Sequence, residues 1–364
     1  MLHCIPGMGG GGAERQLSYL AGGMTAIGWD VAVALVTGGP NLDRLRANGA
    51  VVHQLEARHN HDPRILWALL RAIDRSKPDI VHVALLQMEI LGGLAAELKG
   101  IPWVFSEHSS ERAYPQTVKN RLRVWIADHA DAVISNSHAG DAYWATRLDA
   151  RVPRFVVPNV VPIEEIDRVE AATPERTGLD PAEKLVLFVG RFSAEKNLEV
   201  LVGALRRVTA EQNVVAVLAG TGPEETAIKR LVGDLGLRDR VRTPGYLDGI
   251  WAWIKRADVL ASISLFEGRP NAVLEAMASG CPLVVSNVPA HREMLDDESA
   301  RFVDPDDAEA VADALLDVLR DPVAAHARAL CARRRAEAWS VMNVVREYDR
   351  VYRRIIERRK LGGT

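Results

Sequence analysis

The feature that most constrains this chain is a regular alternation of short apolar, β-branched runs with segments of helical period. The runs are apolar throughout, which is typical of parallel strands that are covered on both faces. In the first half of the chain, strands are expected over residues 2–5, 31–36, 50–55, 80–83, 103–106, 132–135 and 155–157. In the second half, they are expected over residues 185–189, 214–219, 241–243, 259–264, 283–286 and 301–303. Helices are expected between them, for example over residues 13–27, 64–75 and 89–98. This order predicts an α/β protein made of two successive doubly wound units.

The alternation is interrupted once, by a stretch that is typical of a linker. Prolines, acidic residues and turn formers replace the pattern between Pro158 and Pro181. We therefore predict a first domain over residues 1–162 and a second over residues 163–342, which suits a chain of 364 residues. A final helix over residues 343–360 is expected to pack back on the first domain. Its apolar stripe consists of Val345, Tyr348, Val351, Tyr352 and Ile355.

Composition excludes several classes of protein. Forty-five basic residues against 48 acidic ones give a net charge of −3, so we expect no nucleic-acid partner. No apolar run approaches the roughly 18–20 residues that span a bilayer, and the first residues lack a charged leader. The cysteines are scattered and odd in number, as in a reduced cytoplasmic protein: Cys4, Cys281 and Cys331. The histidines at positions 53, 59 and 61 lack an acidic partner set, so we expect no metal site.

A glycine-rich loop joins the first expected strand to the first helix. Its glycines, which include Gly11 and Gly12, would let backbone amides at the positive helix start approach a phosphate. A flexible tight turn is the alternative. An NAD-dependent enzyme is disfavoured, because the second strand ends in Val36-Thr37-Gly38-Gly39, without the acid that binds a ribose.

Two strand ends in the second half carry cations and further glycine turns. Arg191 and Lys196 lie five residues apart, directly after Gly190. A guanidinium and an ammonium can together neutralise a diphosphate leaving group, although surface pairing with neighbouring glutamates is the alternative. The turn that contains Gly220 and Gly222 opens the next helix and is a weaker signal of the same kind.

The most informative segment covers residues 266–280. Its helix is expected over residues 270–279 and to end at Gly280. Glu267 then precedes the helix and Glu275 points from its second turn, so two carboxylates could hold two parts of one polyhydroxylated ligand. Stabilisation of the helix dipole would explain Glu267 but not Glu275. Amides near the helix start are available to hydroxyl or phosphate oxygens, namely those of Gly268, Arg269, Asn271 and Ala272.

The segments GRFSAEKN, AGTGP and FEGRPNAVLEAMASGCP, in this order and spacing, resemble the nucleotide-sugar half of the retaining glycosyltransferases of family 4. The N-terminal GGGGAERQLSYLA is similar to that family's first loop. The resemblance covers nearly the whole chain. It implies the GT-B fold, in which two Rossmann-like domains face each other across a cleft that holds the active site.

The resemblance also implies roles for individual residues. Arg191 and Lys196 match the pair that contacts the donor diphosphate, and Glu275 matches the acid that binds the ribose. Glu267 and the amides that follow it match the groups around the donor sugar. The other matches belong to the phosphate loops, the base-contacting segment and the position beside the transferred sugar: Gly11, Gly12, Gly190, Gly220, Gly222, Tyr246, Leu247 and His108.

We therefore expect a metal-independent enzyme, without a cofactor, that transfers a hexosyl unit with retention from a nucleoside-diphosphate sugar to an acceptor hydroxyl. UDP is favoured over GDP, and the expected acceptor is a glycan or lipid-linked glycan in cell-envelope glycan synthesis. Cations are present without a carboxylate pair of the glycosidase type, which favours front-face displacement. Three alternatives stay open: a transferase with a soluble small-molecule acceptor, a GT-B sugar-nucleotide epimerase, and a non-catalytic nucleotide-binding protein.

A basic amphipathic segment over residues 114–127 raises the hypothesis of peripheral contact with the cytoplasmic face of the membrane. Lys119, Arg121 and Arg123 interleave there with apolar residues, a pattern that suits an anionic lipid surface. A core-facing helix with a solvated basic side is the alternative.

Overall fold

The computed structural model describes residues 1–57, 62–109 and 117–362. The histidines at positions 59 and 61 and the start of the basic segment, residues 114–116, lie outside these residues. The chain divides into two compact units. Unit 1 consists of Met1–Val160 with Val341–Thr364, and unit 2 consists of Val161–Ser340.

Unit 1 is built on a parallel sheet. Within the described residues its seven strands are β1 (Leu2–Cys4), β2 (Ala32–Leu35), β3 (Val51–Gln54), β4 (Val81–Ala84), β5 (Trp103–Glu107), β6 (Ala132–Ser135) and β7 (Arg154–Val156). Their order is β3-β2-β1-β4-β5-β6-β7. The helices between them are α1 (Gly12–Ala26), α2 (Leu42–Ala47), α3 (Arg64–Ser76), α4 (Leu86–Lys99), α5 (Val118–Ala127) and α6 (His138–Ala145).

Unit 2, which is described in full, has a six-stranded parallel sheet. Its strands are β8 (Lys184–Val189), β9 (Val214–Ala219), β10 (Val241–Gly245), β11 (Val259–Ser262), β12 (Leu283–Ser286) and β13 (Arg301–Val303), in the order β10-β9-β8-β11-β12-β13. Its helices are α7 (Ile163–Asp167), α8 (Pro174–Thr177), α9 (Leu198–Glu211), α10 (Glu225–Asp234), α11 (Ile250–Arg256), α12 (Asn271–Ser279), α13 (Pro289–Arg292), α14 (Ala308–Arg320) and α15 (Pro322–Ala336).

The last helix, α16 (Val341–Gly362), belongs to unit 1 and packs on α1. The apolar stripe expected on it is buried, including Val345 and Tyr352, neither of which is exposed at all. Tyr352 also contacts the sheet, because its hydroxyl lies 2.6 Å from Nδ1 of His82 in β4. An amphipathic C-terminal helix therefore completes the first unit of the chain.

The predicted α/β fold of two doubly wound units is confirmed. Every expected strand forms, and no strand end is displaced by more than two residues. Alternate residues of β8 show why its sequence is continuously apolar: Leu185 and Leu187 enter one core, whereas Val186 and Phe188 enter the other. The expectation that every strand is covered on both faces is wrong at the sheet edge. Val51 of β3 is 58% exposed, because an edge strand has only one neighbour.

The segment between Pro158 and Pro181 is not wholly irregular, so its interpretation as a linker is wrong in part. Residues 163–167 form α7, which packs on α12, and Ile166 is fully buried in the core of unit 2. Its acidic residues gave the segment the composition of a linker despite its two apolar positions.

In each sheet, the strand order reverses direction next to the first strand, which is β1 in unit 1 and β8 in unit 2. Ligand sites of doubly wound sheets lie at the carboxyl ends of the strands at this point.

Candidate functional site

The loops after β8 and β9 are packed backbone against backbone. The amide of Gly190 donates to the carbonyl of Ala219 at 3.0 Å, and the amide of Gly220 donates to Gly245 at 2.8 Å. Gly220 has a φ of +140°, and a Cβ there would overlap the carbonyl oxygen of Gly190. A Cβ on Gly222 would likewise overlap the carbonyl of Phe192. These glycines thus let neighbouring strand-end loops approach each other, and two of their amides are already hydrogen-bonded within the protein.

The structure brings together two of the predicted site residues, Lys196 and Glu267. Lys196 ends a short 3-10 turn, Ala194–Lys196, and Glu267 lies in the loop after β11. Their side chains form an ion pair with 2.5 Å between Nζ and Oε1, and they are only 19% and 11% exposed. Ser264 donates a second hydrogen bond to the same carboxylate oxygen at 2.8 Å. A half-buried cation and carboxylate therefore meet at adjacent strand ends.

The other predicted cation, Arg191, is exposed. It directly follows β8 and Gly190, and its side chain forms no ion pair with any residue that the structure describes. The alternative of surface pairing with neighbouring glutamates is therefore not observed for Arg191. Lys196 pairs with a glutamate, but with the predicted site residue Glu267.

The helix after Glu267 begins one residue later than expected. Pro270 has an extended conformation, with ψ of 112°, and serves as the N-cap, so that α12 starts at Asn271. The first hydrogen bond of the helix runs from the amide of Leu274 to the carbonyl of Pro270. The amides that precede this bond lie at the positive dipole end of the helix. Gly280 ends the helix with a φ of +68°, as expected.

The remaining donor-site residues of unit 2 differ in exposure. Glu275 is 3% exposed on α12. Arg269 is also buried; its guanidinium carbon lies 4.2 Å from the ring centroid of Trp339, so this side chain packs inside the unit. Gly268 is buried beside it. Tyr246 is 72% exposed, whereas its neighbour Leu247 packs against the core.

His291, which is fully buried near these groups, was not predicted from the sequence. Its Nδ1 donates to the carbonyl of Ser286 at 2.8 Å, because a carbonyl only accepts. Ser286 in turn donates from its hydroxyl to the carbonyl of Ser264, whose own hydroxyl reaches Glu267. Burial lowers the pKa of His291. The signal that could have revealed it is its place just after a strand end, β12, that is adjacent to β11.

In unit 1, Gly11 and Gly12 lie at the start of α1, with Gly11 as the N-cap. The carboxylate of Glu14 folds over this loop, since a Cβ on Gly11 would overlap its Oε2. His108 follows β5 and is half-buried. It lines a cavity of about 30 Å³ together with Gln16, His82 and Tyr348. Burial lowers the pKa of His108, and the carboxylate of Glu107 opposes that change.

The basic segment is not a continuous cationic surface, because Arg123 is fully buried. The outward side of α5 instead exposes apolar side chains, with Val118 at 80%, Leu122 at 43% and Trp125 at 55%. Lys119 and Arg121 remain exposed. None of the described helices is both long and apolar enough to cross a membrane. Across the described ranges, no group of three or more His, Cys, Asp or Glu side chains could hold a metal ion.

Two family models match the chain and together cover most of it. The model described as Glycosyltransferase Family 4 matches residues 10–165, and the model described as Glycosyl transferases group 1 matches residues 169–337. The chain therefore belongs to the family 4 glycosyltransferases.

Individual relatives agree with this assignment. The chain is 35% identical over 123 residues to the uncharacterized glycosyltransferase MJ1607 of Methanocaldococcus jannaschii, which is 33% of this chain and only 32% of that protein. It is 27% identical over 278 residues to UDP-Gal:alpha-D-GlcNAc-diphosphoundecaprenol alpha-1,3-galactosyltransferase of Escherichia coli, which is 72% of each chain. The solved structure of Anabaena Alr3699/HepE in complex with UDP and glucose matches with a TM-score of 0.85 and 20% identity, over 96% of this chain and 98% of that one. The fold is that of the GT-B glycosyltransferases, as the resemblance implied.

Proposed function

We propose that the protein transfers a hexosyl unit, with retention, from a nucleoside-diphosphate sugar to an acceptor hydroxyl. The observation that carries this proposal is the pair formed by Lys196 and Glu267 at the ends of β8 and β11. A departing diphosphate needs a cation, because negative charge develops on its oxygen as the glycosidic bond breaks. A sugar needs acceptors for its hydroxyl hydrogens, and a carboxylate provides them.

The other candidate residues complete a donor site. The exposed Arg191 supplies a second cation with a fork that suits phosphate oxygens. The sugar and the phosphate accept hydrogen bonds from backbone amides near the start of α12, namely those of Gly268, Arg269, Asn271 and Ala272. The buried Glu275 accepts the ribose hydroxyls, and Tyr246 and Leu247 contact the base. For unit 1, the proposal keeps the predicted roles of Gly11 and Gly12 in binding a phosphate and of His108 at the transferred sugar.

Binding of the donor changes the partner of Lys196. A diphosphate carries more negative charge than one carboxylate, so it attracts the ammonium away from Glu267. Glu267 keeps its hydrogen bond from Ser264 and turns its other oxygen to a sugar hydroxyl. In the absence of donor, the charges of Lys196 and Glu267 thus neutralise each other.

Transfer proceeds by front-face displacement. The bond between the anomeric carbon and the phosphate oxygen breaks, and its electron pair goes to the diphosphate. The acceptor oxygen bonds to the same face of the anomeric carbon, and its proton passes to the departing phosphate oxygen. Arg191 and Lys196 stabilise the charge on the leaving group, which is the largest electrostatic demand of the step.

The proposed donor carries UDP and the proposed acceptor is a lipid-linked glycan of the cell envelope. The E. coli relative supports both choices, because its name contains a UDP-sugar donor and a diphosphoundecaprenol acceptor. We further propose that α5 contacts an anionic membrane at the cytoplasmic face. Val118, Leu122 and Trp125 are exposed at spacings of four and three residues, which places them on one side of the helix beside Lys119 and Arg121.

A screen of donor hydrolysis tests the proposal. UDP-glucose, UDP-galactose, UDP-N-acetylglucosamine and GDP-mannose are incubated with the protein, and release of nucleotide and free sugar is measured. We expect slow hydrolysis of a UDP-sugar and a decrease in kcat of about 10²–10³-fold in Arg191→Ala at saturating donor. Arg206→Ala, which removes an exposed arginine from α9, is the control. Unchanged turnover in Arg191→Ala would disprove the leaving-group role, and conversion of donor into an isomeric nucleotide sugar would favour the epimerase.

A further inference from the structure

A buried ionic cluster in unit 1 includes the residue that precedes His108. Arg123 of α5 is fully buried, and its Nε donates to Glu89 of α4 at 2.5 Å. Its Nη2 donates to Glu107, the last residue of β5, at 2.7 Å. The guanidinium also lies 4.9 Å and 4.8 Å from the ring centroids of Phe105 and Trp144. Burial raises the pKa of Glu89, and the charge of Arg123 opposes that change. The proposed transfer reaction assigns it no role.

The two oxygens of Glu107 contact different parts of the protein. Oε2 accepts hydrogen bonds from Arg123 and, at 3.0 Å, from the indole of Trp144 in α6. Oε1 accepts the backbone amide of Ser109 at 2.7 Å. The side chain therefore bonds to the residue on the other side of His108 and closes the short turn over residues 107–109.

The backbone on either side of the histidine is fixed as well. The amide of Asn136 donates to the carbonyl of Glu107 at 3.0 Å, and its side-chain nitrogen lies 3.4 Å from the carbonyl of His108. Glu107 is the member of the cluster that also bonds to this turn, through the amide of Ser109. That bond links a buried, rigidly held charge to the direction in which the His108 side chain leaves the backbone.

We propose that Glu107, held by Arg123 and Trp144, is a positioning residue that orients the imidazole of His108 toward the transferred sugar. The inference rests on the role proposed above for His108. Loss of the Ser109 bond lets the turn relax, and a shift of about 1 Å in a reacting or orienting group can lower a rate by about 10²-fold.

The test compares Glu107→Gln with a matched variant, Glu89→Gln, in the full chain. Both replace a buried carboxylate of Arg123, but only Glu107 also holds the turn. We follow the His108 resonance in protein with labelled histidines, assigned with His108→Ala, and kcat for hydrolysis of the UDP-sugar found in the donor screen. We expect Glu107→Gln to move the His108 resonance and to lower kcat by about 10–10²-fold. Glu89→Gln should change kcat by about twofold or less at an equal loss of thermal stability.

Two further variants separate positioning from general damage. Ser109→Pro removes the bonded amide while leaving the Arg123–Glu107 pair in place, and it should reproduce the effects of Glu107→Gln even where that variant does not fold. In a His108→Ala background neither change should lower kcat further, because the two residues act as one unit.

The outcomes distinguish this inference from the proposed function. An unmoved His108 resonance, or an equal decrease in kcat with and without the imidazole, overturns the positioning role of Glu107. If the resonance moves while His108→Ala retains full turnover, Glu107 positions His108 and the role of His108 in transfer is wrong.

Discussion

At the scale of single residues, the pair of Lys196 and Glu267 sets the balance between donor binding and turnover. The two side chains are 71 positions apart in sequence, and both are partly solvated. A diphosphate carries more negative charge than one carboxylate, so it can displace Glu267 from the ammonium. Because the carboxylate also repels the incoming phosphate, it should weaken binding of the nucleotide.

Replacement of Glu267 by glutamine therefore separates binding from chemistry. We expect Glu267→Gln to bind UDP more tightly, by up to about fivefold, since Lys196 no longer has to leave a carboxylate. The same variant should lower kcat for hydrolysis of the donor sugar by about 10²-fold, because a charged acceptor for its hydroxyls is lost. Calorimetry with UDP and a hydrolysis assay measure the two effects. Glu199→Gln, on the exposed first turn of α9, is the control, and weaker UDP binding in Glu267→Gln contradicts the assignment.

The sequence predicts the residues of the site better than their partners. Strand ends and charge placed Lys196 and Glu267 in the site one at a time, but an ion pair between distant residues depends on which strands are neighbours. The burial of Arg123 was not predictable, because Asn120, which lies one turn before it on the buried side of α5, is itself polar. The burial of His291 depends on tertiary packing, and only its position after the end of β12 points to it in the sequence.

At the scale of elements, contact between loops explains why the turn after β9 contains glycine. Gly220→Ala would place a methyl group against the carbonyl of Gly190 at a φ of +140°. We expect the free energy of unfolding to fall by about 2–4 kcal/mol, as for other strained backbone positions. Gly236→Ala is the matched control, because this glycine also has a positive φ, of +69°, but open space around a Cβ. Urea denaturation of both variants gives the comparison, and equal losses argue against a close contact between the loops.

The exposed face of α5 makes a second prediction at this scale. Burying a large apolar side chain in a lipid interface contributes about 1.5–3 kcal/mol, so Trp125→Ser should weaken vesicle binding by about tenfold or more. Flotation with phosphatidylcholine vesicles, with and without phosphatidylglycerol, measures this effect. Trp67→Ser removes a tryptophan of α3 that is 65% exposed, and it should leave binding unchanged. Equal recovery of the wild type from both lipid mixtures means that the helix does not recognise an anionic surface.

Element boundaries were predictable where a residue's backbone preference decides them. Gly280 ends α12 because a left-handed residue is needed there, and Gly fills it at no steric cost. Pro270 suits either the N-cap or the first turn, so the start of α12 was misplaced by one residue. α7 has only five residues, too few for a periodic pattern, and its burial depends on α12, which is distant from it in the sequence.

At the scale of the whole molecule, the order of strands and helices was enough to predict two doubly wound units. Continuous apolar runs require a covered parallel sheet, and right-handed crossovers leave few strand orders that such a chain can adopt. What the order did not predict is the polar content of the interior. His3 of β1 and His82 of β4 are paired in register and buried, together with Glu89 and Arg123. These buried groups make the stability of the protein depend on pH.

His3 and Glu89 act in opposite directions. Burial, aided by the N-terminal ammonium, lowers the pKa of His3 to about 3, below its unfolded value near 6.5. As the pH falls below about 6.5, His3 takes up a proton in the unfolded chain but stays neutral in the folded protein. The folded protein therefore loses stability. Burial raises the pKa of Glu89 to about 7, so its contribution is present at low pH and is lost as the pH rises through 7. Between about pH 4.5 and 6.5 the contributions of His3 and Glu89 therefore change stability in opposite directions.

A difference measurement reveals the contribution of the histidine. We expect His3→Gln to keep a constant stability difference from the wild type above pH 7. As the pH falls from about 6 to 4, the wild type should lose about 1.4 kcal/mol per pH unit relative to His3→Gln, since one proton separates the folded and unfolded states. Urea denaturation at intervals of one pH unit measures this slope, and the same substitution at the exposed His129 controls for loss of an imidazole. A stability difference that stays constant down to pH 4 would mean that His3 is protonated inside the folded sheet. Water or a neighbouring group would then contact the imidazole at this buried position.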